Sequence, residues 1–503
     1  MAALIRLVFA FVLGLGAGAP AVSSGISVSS PLVLITLENT EYSQIVGNAA
    51  AKRTRTIALV GVLLTAGLVT AAPSAAATAQ AGTVPDDWAT FMHDQLHTGL
   101  SPDTAVGAST APGLALKWSH LIGGTAGATA SPVVVYNATR GTTIVYDGSQ
   151  AGIVHAFNAV TGATIWTQTV AGVVAASPAV DGNTVYVASV GGTLYALDAT
   201  DGAVQCSFTL PISPPETRPG RILSSLVVGH IDGTGPIVFF GDSGQSEKVN
   251  AGHEWAVTGV GNTAGSCLQK WSFNGFIHKG STGTRAGSWS PPGLGTDSTG
   301  RPLVVFGSSD PDDSVYALDA RDGTQIWRFQ TDLGKDHDVG AGPTISAPGV
   351  NGFADGVVYV NAKNFTLYAL DLLNGMPMWT FNFAADSGLT PVSVSTPALA
   401  SDNLVVGYAT YVYDINATTG TEKWRTAPSS ANILSSPAIS GGSGDRVALI
   451  GNTGGQELAY RLSDGAQLFM MNIGFRIRAS TAVSAGMVFF AGGEGHLYAL
   501  GPA

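Results

Sequence analysis

Two short phrases return eight times along this chain, and modules repeating every 40 to 50 residues or so fold as a repeat array rather than as a single globular pattern. The first phrase is Ala-Leu-Asp-Ala-x-x-Gly-x-x-x-Trp. It reads Ala156–Trp166, Ala196–Cys206, Ala317–Trp327, Ala369–Trp379 and Asp414–Trp424. Looser copies end at Trp271 and Phe469, and a last one, Tyr498-Ala499-Leu500, runs off the end. The second phrase is a small-residue turn leading into an apolar run: Ser131-Pro132, Ser177-Pro178, Ser224-Ser225, Ser290-Pro291, Gly342-Pro343, Thr396-Pro397, Ser436-Pro437 and Ser480-Thr481. Both tallies give eight units, provided that Lys117-Trp118 supplies the outer strand missing from the last.

Within each unit the apolar runs are short and β-branched, as in Thr184–Ala188 and Thr193–Leu197, and glycine turns join them. None has sustained helical periodicity. Asp-Ala-x-x-Gly is a tight-turn sequence, in which Asp accepts from nearby backbone amides and Gly supplies a positive φ. The Trp one strand later has room to pack between neighbouring modules. The expectation is an all-β, eight-bladed β-propeller of four-stranded antiparallel blades. Pairing the N-terminal strand near Trp118 with the last blade closes the ring and removes its exposed sheet edge.

Charged residues are only 11% of the chain and the net charge is −11, which argues against nucleic acid and anionic membrane as partners. The N-terminus carries two export-like segments. In the first, Arg6 precedes the apolar run Leu7–Leu15; in the second, Lys52, Arg53 and Arg55 precede Ile57–Val69, with an A-x-A site at Ala79–Ala81. Ile57–Val69 is shorter than the roughly 20 residues a membrane span needs, so no stable anchor is expected. Between the two, Ile35–Ala50, with Glu38-Asn39, resembles the opening of secreted phosphoesterases of the acid-phosphatase type, but nothing of that domain follows. Residues 1–51 therefore read as a spurious or fused export segment, 52–81 as a signal peptide and 82–503 as the propeller. The expected localisation is extracytoplasmic.

Beyond the repeat, Asp87-Trp88 through Pro102, followed by Leu114–Trp118, resembles the opening of secreted quinoproteins, in which a Trp-led segment caps the ring. The resemblance to the pyrroloquinoline quinone (PQQ) dehydrogenase fold covers about residues 87–503. Four stretches are similar to cofactor segments of that family. Phe240–Glu247 resembles the segment whose Glu binds calcium, which implies Glu247 as a metal ligand. Gly283–Trp289 resembles the one that supplies the aromatic floor of the quinone, with Trp289 about three positions from the usual place. Phe306–Pro311 resembles a segment ending in Asn-Pro, so Asp310 takes the place of a calcium-ligating Asn. Ala362-Lys363-Asn364 resembles the segment whose basic residue contacts the quinone oxygens, which implies Lys363 and Asn364 as cofactor contacts.

The chemistry suits these residue types. Calcium takes several hard oxygen ligands. An ortho-quinone accepts hydride while a carboxylate takes the alcohol proton. The resemblance implies an Asp soon after the Asn-Pro segment as that base, and Asp313 and Asp312 are nearest. The same residues also fit plainer roles: Asp310, Asp312 and Asp313 as solvated turn carboxylates, Lys363 as a strand-edge charge, Trp289 as packing, and Glu247 as an exposed loop residue.

The chain also departs from the family. Its alcohol dehydrogenases carry two adjacent cysteines, whereas here there are only Cys206 and Cys267. These fall in outer parts of successive blades and suit a structural disulfide in an exported protein. No Cys-x-x-Cys-His is present, so no c-type haem is expected. His93 and His97 have H-x-x-x-H spacing without the Glu or third ligand of a zinc site. His337-Asp338 stands as an isolated pair. Two functions remain open: an exported PQQ- and calcium-dependent alcohol or polyol dehydrogenase acting on a small or polymeric alcohol, and a non-catalytic propeller that binds a protein or polymer. Either is expected to be a monomer.

Overall fold

The computed structural model describes residues 86–503, apart from 124–129, 213–217, 245–251, 278–285, 333–336 and 392. The two proposed leader segments, 1–51 and 52–81, lie outside the described residues. Eight four-stranded antiparallel sheets follow one another as blades. Blades 1 to 7 each use four consecutive strands, from Val133–Asn137 through Thr164–Thr169 in blade 1 to Ala438–Ser440 through Gln467–Asn472 in blade 7. Blade 8 takes Ala482–Ser484, Met487–Ala491 and His496–Pro502 from the C-terminus and Leu114–Leu121 from the N-terminus. Leu114 pairs with Pro502 and Trp118 with Ala499, so the ring is sealed by the strand that the sequence marks.

Blades stack face to face, which explains the composition of their strands. Thr184–Ser189 is buried along its whole length, because both faces of a middle strand pack against neighbouring blades. The outermost strand Val204–Thr209 alternates between exposed and half-buried positions. Between blades 4 and 5, Val305, Val315 and Ala317 pack with Ile345, Val358, Val360 and Leu370.

The two repeated phrases are the two inter-blade ties. In the first, the Trp of one blade lies under the turn glycine of the next. Trp118 donates its indole N–H to the Ala159 carbonyl at 3.0 Å. A Cβ on Gly162, whose φ is +71°, would lie 2.7 Å from the Trp118 ring, so only glycine admits the indole. Trp166, Trp271, Trp327, Trp379 and Trp424 repeat this contact with the carbonyls of Ala199, Ala320, Leu372, Ala417 and Leu462. Blade 2 has Cys206 at the Trp position, and there a disulfide to Cys267 of blade 3 replaces the indole tie.

The second phrase forms a ring of hydrogen bonds at the inner strands. Ser131 N–H donates to Ser177 Oγ, Ser177 N–H to Ser225 Oγ, Ser224 Oγ to the Ser290 carbonyl and Ser290 Oγ to the Ala341 carbonyl. Gly342 N–H donates to Thr396 Oγ1, Thr396 N–H to Ser436 Oγ and Ser436 N–H to Ser480 Oγ. Ser480 N–H returns to Ser131 Oγ.

Residues 88–101 visit every blade in order. Trp88 exchanges backbone bonds with Val134, and the carbonyls of Ala89, Gln95, Leu96, Thr98 and Gly99 accept from Val180, Leu294, Ile345, Leu399 and Ile439. Gln95 Nε2 donates to Val228 and Ser101 Oγ to Val483. His97 belongs to this plug, with Nδ1 3.1 Å from the Pro343 carbonyl and its ring edge-on to Phe91. Among the described residues no helix is long and apolar enough to cross a membrane.

Candidate functional site

Strand alternation sends two kinds of connection to the same end of the ring: the turn between the second and third strands of a blade, and the loop from one blade to the next. On this end lie the blade 4 turn Ser308–Asp313, the blade 5 turn Lys363–Phe365, the blade 3-to-4 loop with Trp289 and the blade 4-to-5 loop with Asp332, His337 and Asp338. Backbone bonds join them. Ser288 N–H donates to the Asp242 carbonyl, Ser309 N–H to Gly287, Val339 N–H to Ser308 and Lys363 N–H to Asp338.

Lys363 does not stand as a strand-edge charge. Its Nζ lies 2.6 Å from Asp338 Oδ2 and 5.5 Å from the centre of the Trp289 ring. Asp338 Oδ1 accepts the Asp310 amide at 2.6 Å. One carboxylate thus couples the blade 4 turn to the blade 5 lysine. The Trp289 ring is seated against Gly340, where an added Cβ would come within 1.8 Å of it. Asn364 Nδ2 donates to Tyr368 Oη at 2.7 Å and to the Thr331 carbonyl at 3.2 Å, while its Oδ1 is buried without a partner among the described residues.

The two adjacent aspartates have different environments, and neither is a solvated turn residue. Asp312 is fully buried and saturated: Oδ1 accepts from Arg328 Nη2 at 2.7 Å and Ser314 Oγ at 2.9 Å, and Oδ2 accepts from Tyr316 Oη at 2.7 Å. Asp313 is also fully buried, but neither carboxyl oxygen has a hydrogen-bond partner among the described residues. Its φ of +46° turns it away from its neighbour's partners. Burial, and then the negative fields of Asp310, Asp338, Asp312 and Asp332, push its pKa up to about 7. An aspartate near neutrality in a shielded pocket exchanges a proton readily, as a general base requires.

Glu247 lies outside the described residues. Among those described, no three acidic, His or Cys side chains converge closely enough to hold a metal ion. The donor set still has a definite chemistry. Trp289 and Lys363 suit a planar, anionic quinone, and the carboxylate of Asp310 is a hard oxygen donor. Asp338 and the Asp332–His337 pair, with Nδ1 2.6 Å from Asp332 Oδ2, are site features that the repeat pattern could not reveal. They lie in a loop between repeats, where the sequence marks His337-Asp338 only as an isolated pair, and the contacts of Asp338 with Lys363 and the Asp310 amide bring that loop to the site.

A family model described as outer membrane protein assembly factor BamB matches residues 108–249 and 311–503. The quinohemoprotein alcohol dehydrogenase ADH-IIG of Pseudomonas putida is 31% identical over 136 residues, which are 25% of this chain and 18% of that protein. The match thus spans less than a fifth of the curated relative. The quinohemoprotein alcohol dehydrogenase of Comamonas testosteroni superposes with a TM-score of 0.67 at 17% identity, over 84% of this chain and 82% of that one. A europium-containing methanol dehydrogenase superposes with a TM-score of 0.65 at 15% identity, over 83% and 98%. At these identities the likeness of structure shows the fold. Two of these proteins carry haem by name, so the relatives give no support to the expectation of a haem-free protein.

Proposed function

We propose a function from one premise, that this chain belongs to the PQQ-repeat propeller family described as outer membrane protein assembly factor BamB: it binds PQQ on the loop end of blades 3 to 5 and oxidises an alcohol or polyol there. The observation that carries this is the buried carboxyl of Asp313, without a hydrogen-bond partner among the described residues, on the same loop end as the Lys363–Asp338 pair over Trp289. When bound, PQQ supplies an electrophilic quinone that takes up a hydride. Trp289 would offer its ring face to the cofactor, and Lys363, with Asn364 beside it, a positive charge to its oxygens. Asp313 would take the substrate hydroxyl proton, and Asp312, locked to Arg328, would hold the turn in shape. Calcium is proposed with the quinone, ligated by Asp310 and Glu247.

Export is part of the proposal, and the Cys206–Cys267 disulfide supports it, because disulfides persist in oxidising compartments. The protein is proposed to act as a monomer on a small or polymeric alcohol. The description of the matching family model favours a second reading, a non-catalytic propeller whose rim binds a protein partner. Incubation with PQQ and Ca²⁺, followed by gel filtration and absorbance, separates the two: co-eluting quinone supports the first and its absence the second.

A further inference from the structure

Ring pairs fill the space between blades at two repeated positions: two residues after the outer-strand Trp or Cys, and one residue before the third-strand Ala, or before Asp414 in blade 6. Phe208 meets Trp255 at 5.9 Å between ring centres, Phe273 meets Tyr316 at 5.4 Å, Phe329 meets Tyr368 at 5.3 Å and Phe381 meets Tyr413 at 5.9 Å. These pairs occupy four successive interfaces, from blades 2 and 3 to blades 5 and 6. Three others keep at least one ring at the same positions: Tyr195 between blades 1 and 2, Tyr498 between 7 and 8, and His155 between 8 and 1. Between blades 6 and 7 both rings are missing, because Thr426 and Leu458 stand there. A cavity of about 360 Å³ opens at that place, with both residues in its lining. Interiors are otherwise close-packed, so an unfilled slot forfeits contacts that its seven counterparts make.

The slot has fixed walls and a neutral rim. Thr426 is held to its strand, with its N–H on the Val412 carbonyl at 3.0 Å and its Oγ1 accepting the Val412 amide at 3.1 Å. Leu458, Pro428 and Met470 supply apolar surface, Ser430 and Gln456 polar groups, and no charged side chain lines the cavity among the described residues. Arg425, next to Thr426, is engaged by Asp386. Gln456 Oε1 accepts from Ser430 Oγ at 2.7 Å and Asn452 Nδ2 at 2.8 Å, whereas Gln456 Nε2 donates to the Met470 thioether at 3.1 Å, a weak acceptor. At the filled interfaces the tyrosine hydroxyls bond to groups of the loop end: Tyr316 to Asp312, Tyr368 to Asn364 and Tyr413 to Asp386. Gln456 and Ser430 lie at that same end of the 6–7 slot.

We propose that the slot between blades 6 and 7 is a binding site for a small neutral phenol, whose ring replaces the missing aromatic pair and whose hydroxyl oxygen accepts from Gln456 Nε2. A charged ligand is excluded by chemistry, since nothing in the lining offsets its desolvation. The site shares no residue with the loop end of blades 3 to 5 and stands whether or not that end binds quinone.

The test is calorimetric titration of the full chain with p-cresol, beside toluene, benzoate and glucose. The wild type is expected to bind p-cresol saturably, with a Kd on the order of 0.1–1 mM, and to bind neither benzoate nor glucose. Thr426→Phe combined with Leu458→Tyr rebuilds the ring pair of the other interfaces. It is expected to keep a cooperative thermal transition and to weaken p-cresol binding roughly 10-fold or more. Gln456→Leu leaves the walls intact and decides the matter should the filled variant not fold. It is expected to weaken p-cresol binding roughly 3- to 10-fold and to leave toluene binding unchanged. No uptake of p-cresol by the wild type, wild-type affinity in a folded filled variant, or equal binding of benzoate or glucose overturns the site. An unchanged p-cresol affinity in Gln456→Leu, or a parallel loss for toluene, overturns the phenol as its ligand.

Discussion

The Ser480 amide donates to Ser131 Oγ at 2.8 Å, joining residues 349 apart and completing a circuit of inter-blade hydrogen bonds around the inner strands. The same junction is sealed further out by the pairing of Leu114–Leu121 with His496–Pro502. A chain beginning at residue 122 would lose both the closing strand and the 88–101 plug, leaving blade 8 with a bare edge. It is expected to lose cooperative thermal unfolding and to aggregate, as seen by circular dichroism and light scattering. A sharp transition within a few degrees of the parent would contradict closure as a source of stability.

Cys206 and Cys267 tie blades 2 and 3 where six of the other blades use a Trp, and they enclose a separation of 61 residues. Replacing both with serine removes the cross-link and fills no indole pocket. The expected loss is about 2–4 kcal/mol, measured by denaturant unfolding. An unchanged midpoint would mean that the remaining packing holds blade 2 in place.

Asp414 occupies the position where the other copies of the first phrase carry Ala, and both its carboxyl oxygens are buried without a partner among the described residues. Burial pushes its pKa up to about 7, against the pull of Lys423, whose Nζ is 4.0 Å away. The folded pKa is above the unfolded one, so this group's contribution is complete below about pH 4 and is lost as pH rises through 7. Asp414→Ala is expected to stabilise the protein by about 1–2 kcal/mol at pH 8 and to change little at pH 4. A destabilised variant at pH 8 would contradict this placement.

The same sign holds for Asp313, whose folded pKa of about 7 also lies above its ordinary value. Without PQQ and Ca²⁺, Asp313→Asn is expected to raise the melting temperature at pH 8, where the wild type must bury a charge, and to leave it nearly unchanged at pH 4. Equal melting temperatures at both pH values would place the carboxyl in contact with water.

The ring is legible in the sequence because its ties are written in the repeat. Each Trp needs the next blade's glycine, each inner turn needs a hydroxyl or amide for its neighbour, and Trp118 marks the closing strand. Asp312 and Asp313 cannot be told apart from sequence, since they differ in direction: one meets Arg328 and Tyr316, and the other is turned aside by a positive φ. Asp338 is equally opaque, because its partners Lys363 and Asp310 come from two turns that only the stacking of blades 4 and 5 brings together. The Trp-led segment reads as a cap, but its passage past all eight inner strands runs largely through backbone groups, which leave no residue signature.

Alcohol-dependent dye reduction after reconstitution with PQQ and Ca²⁺, in the wild type and in Asp313→Asn side by side, is the most direct measurement of what the loop end of blades 3 to 5 does. The expected result is that both proteins retain bound quinone while only the wild type reduces dye, with a loss of at least roughly 100-fold in the variant. Quinone-loaded Asp313→Asn turning over like the wild type, or a wild type that binds no quinone, would contradict it.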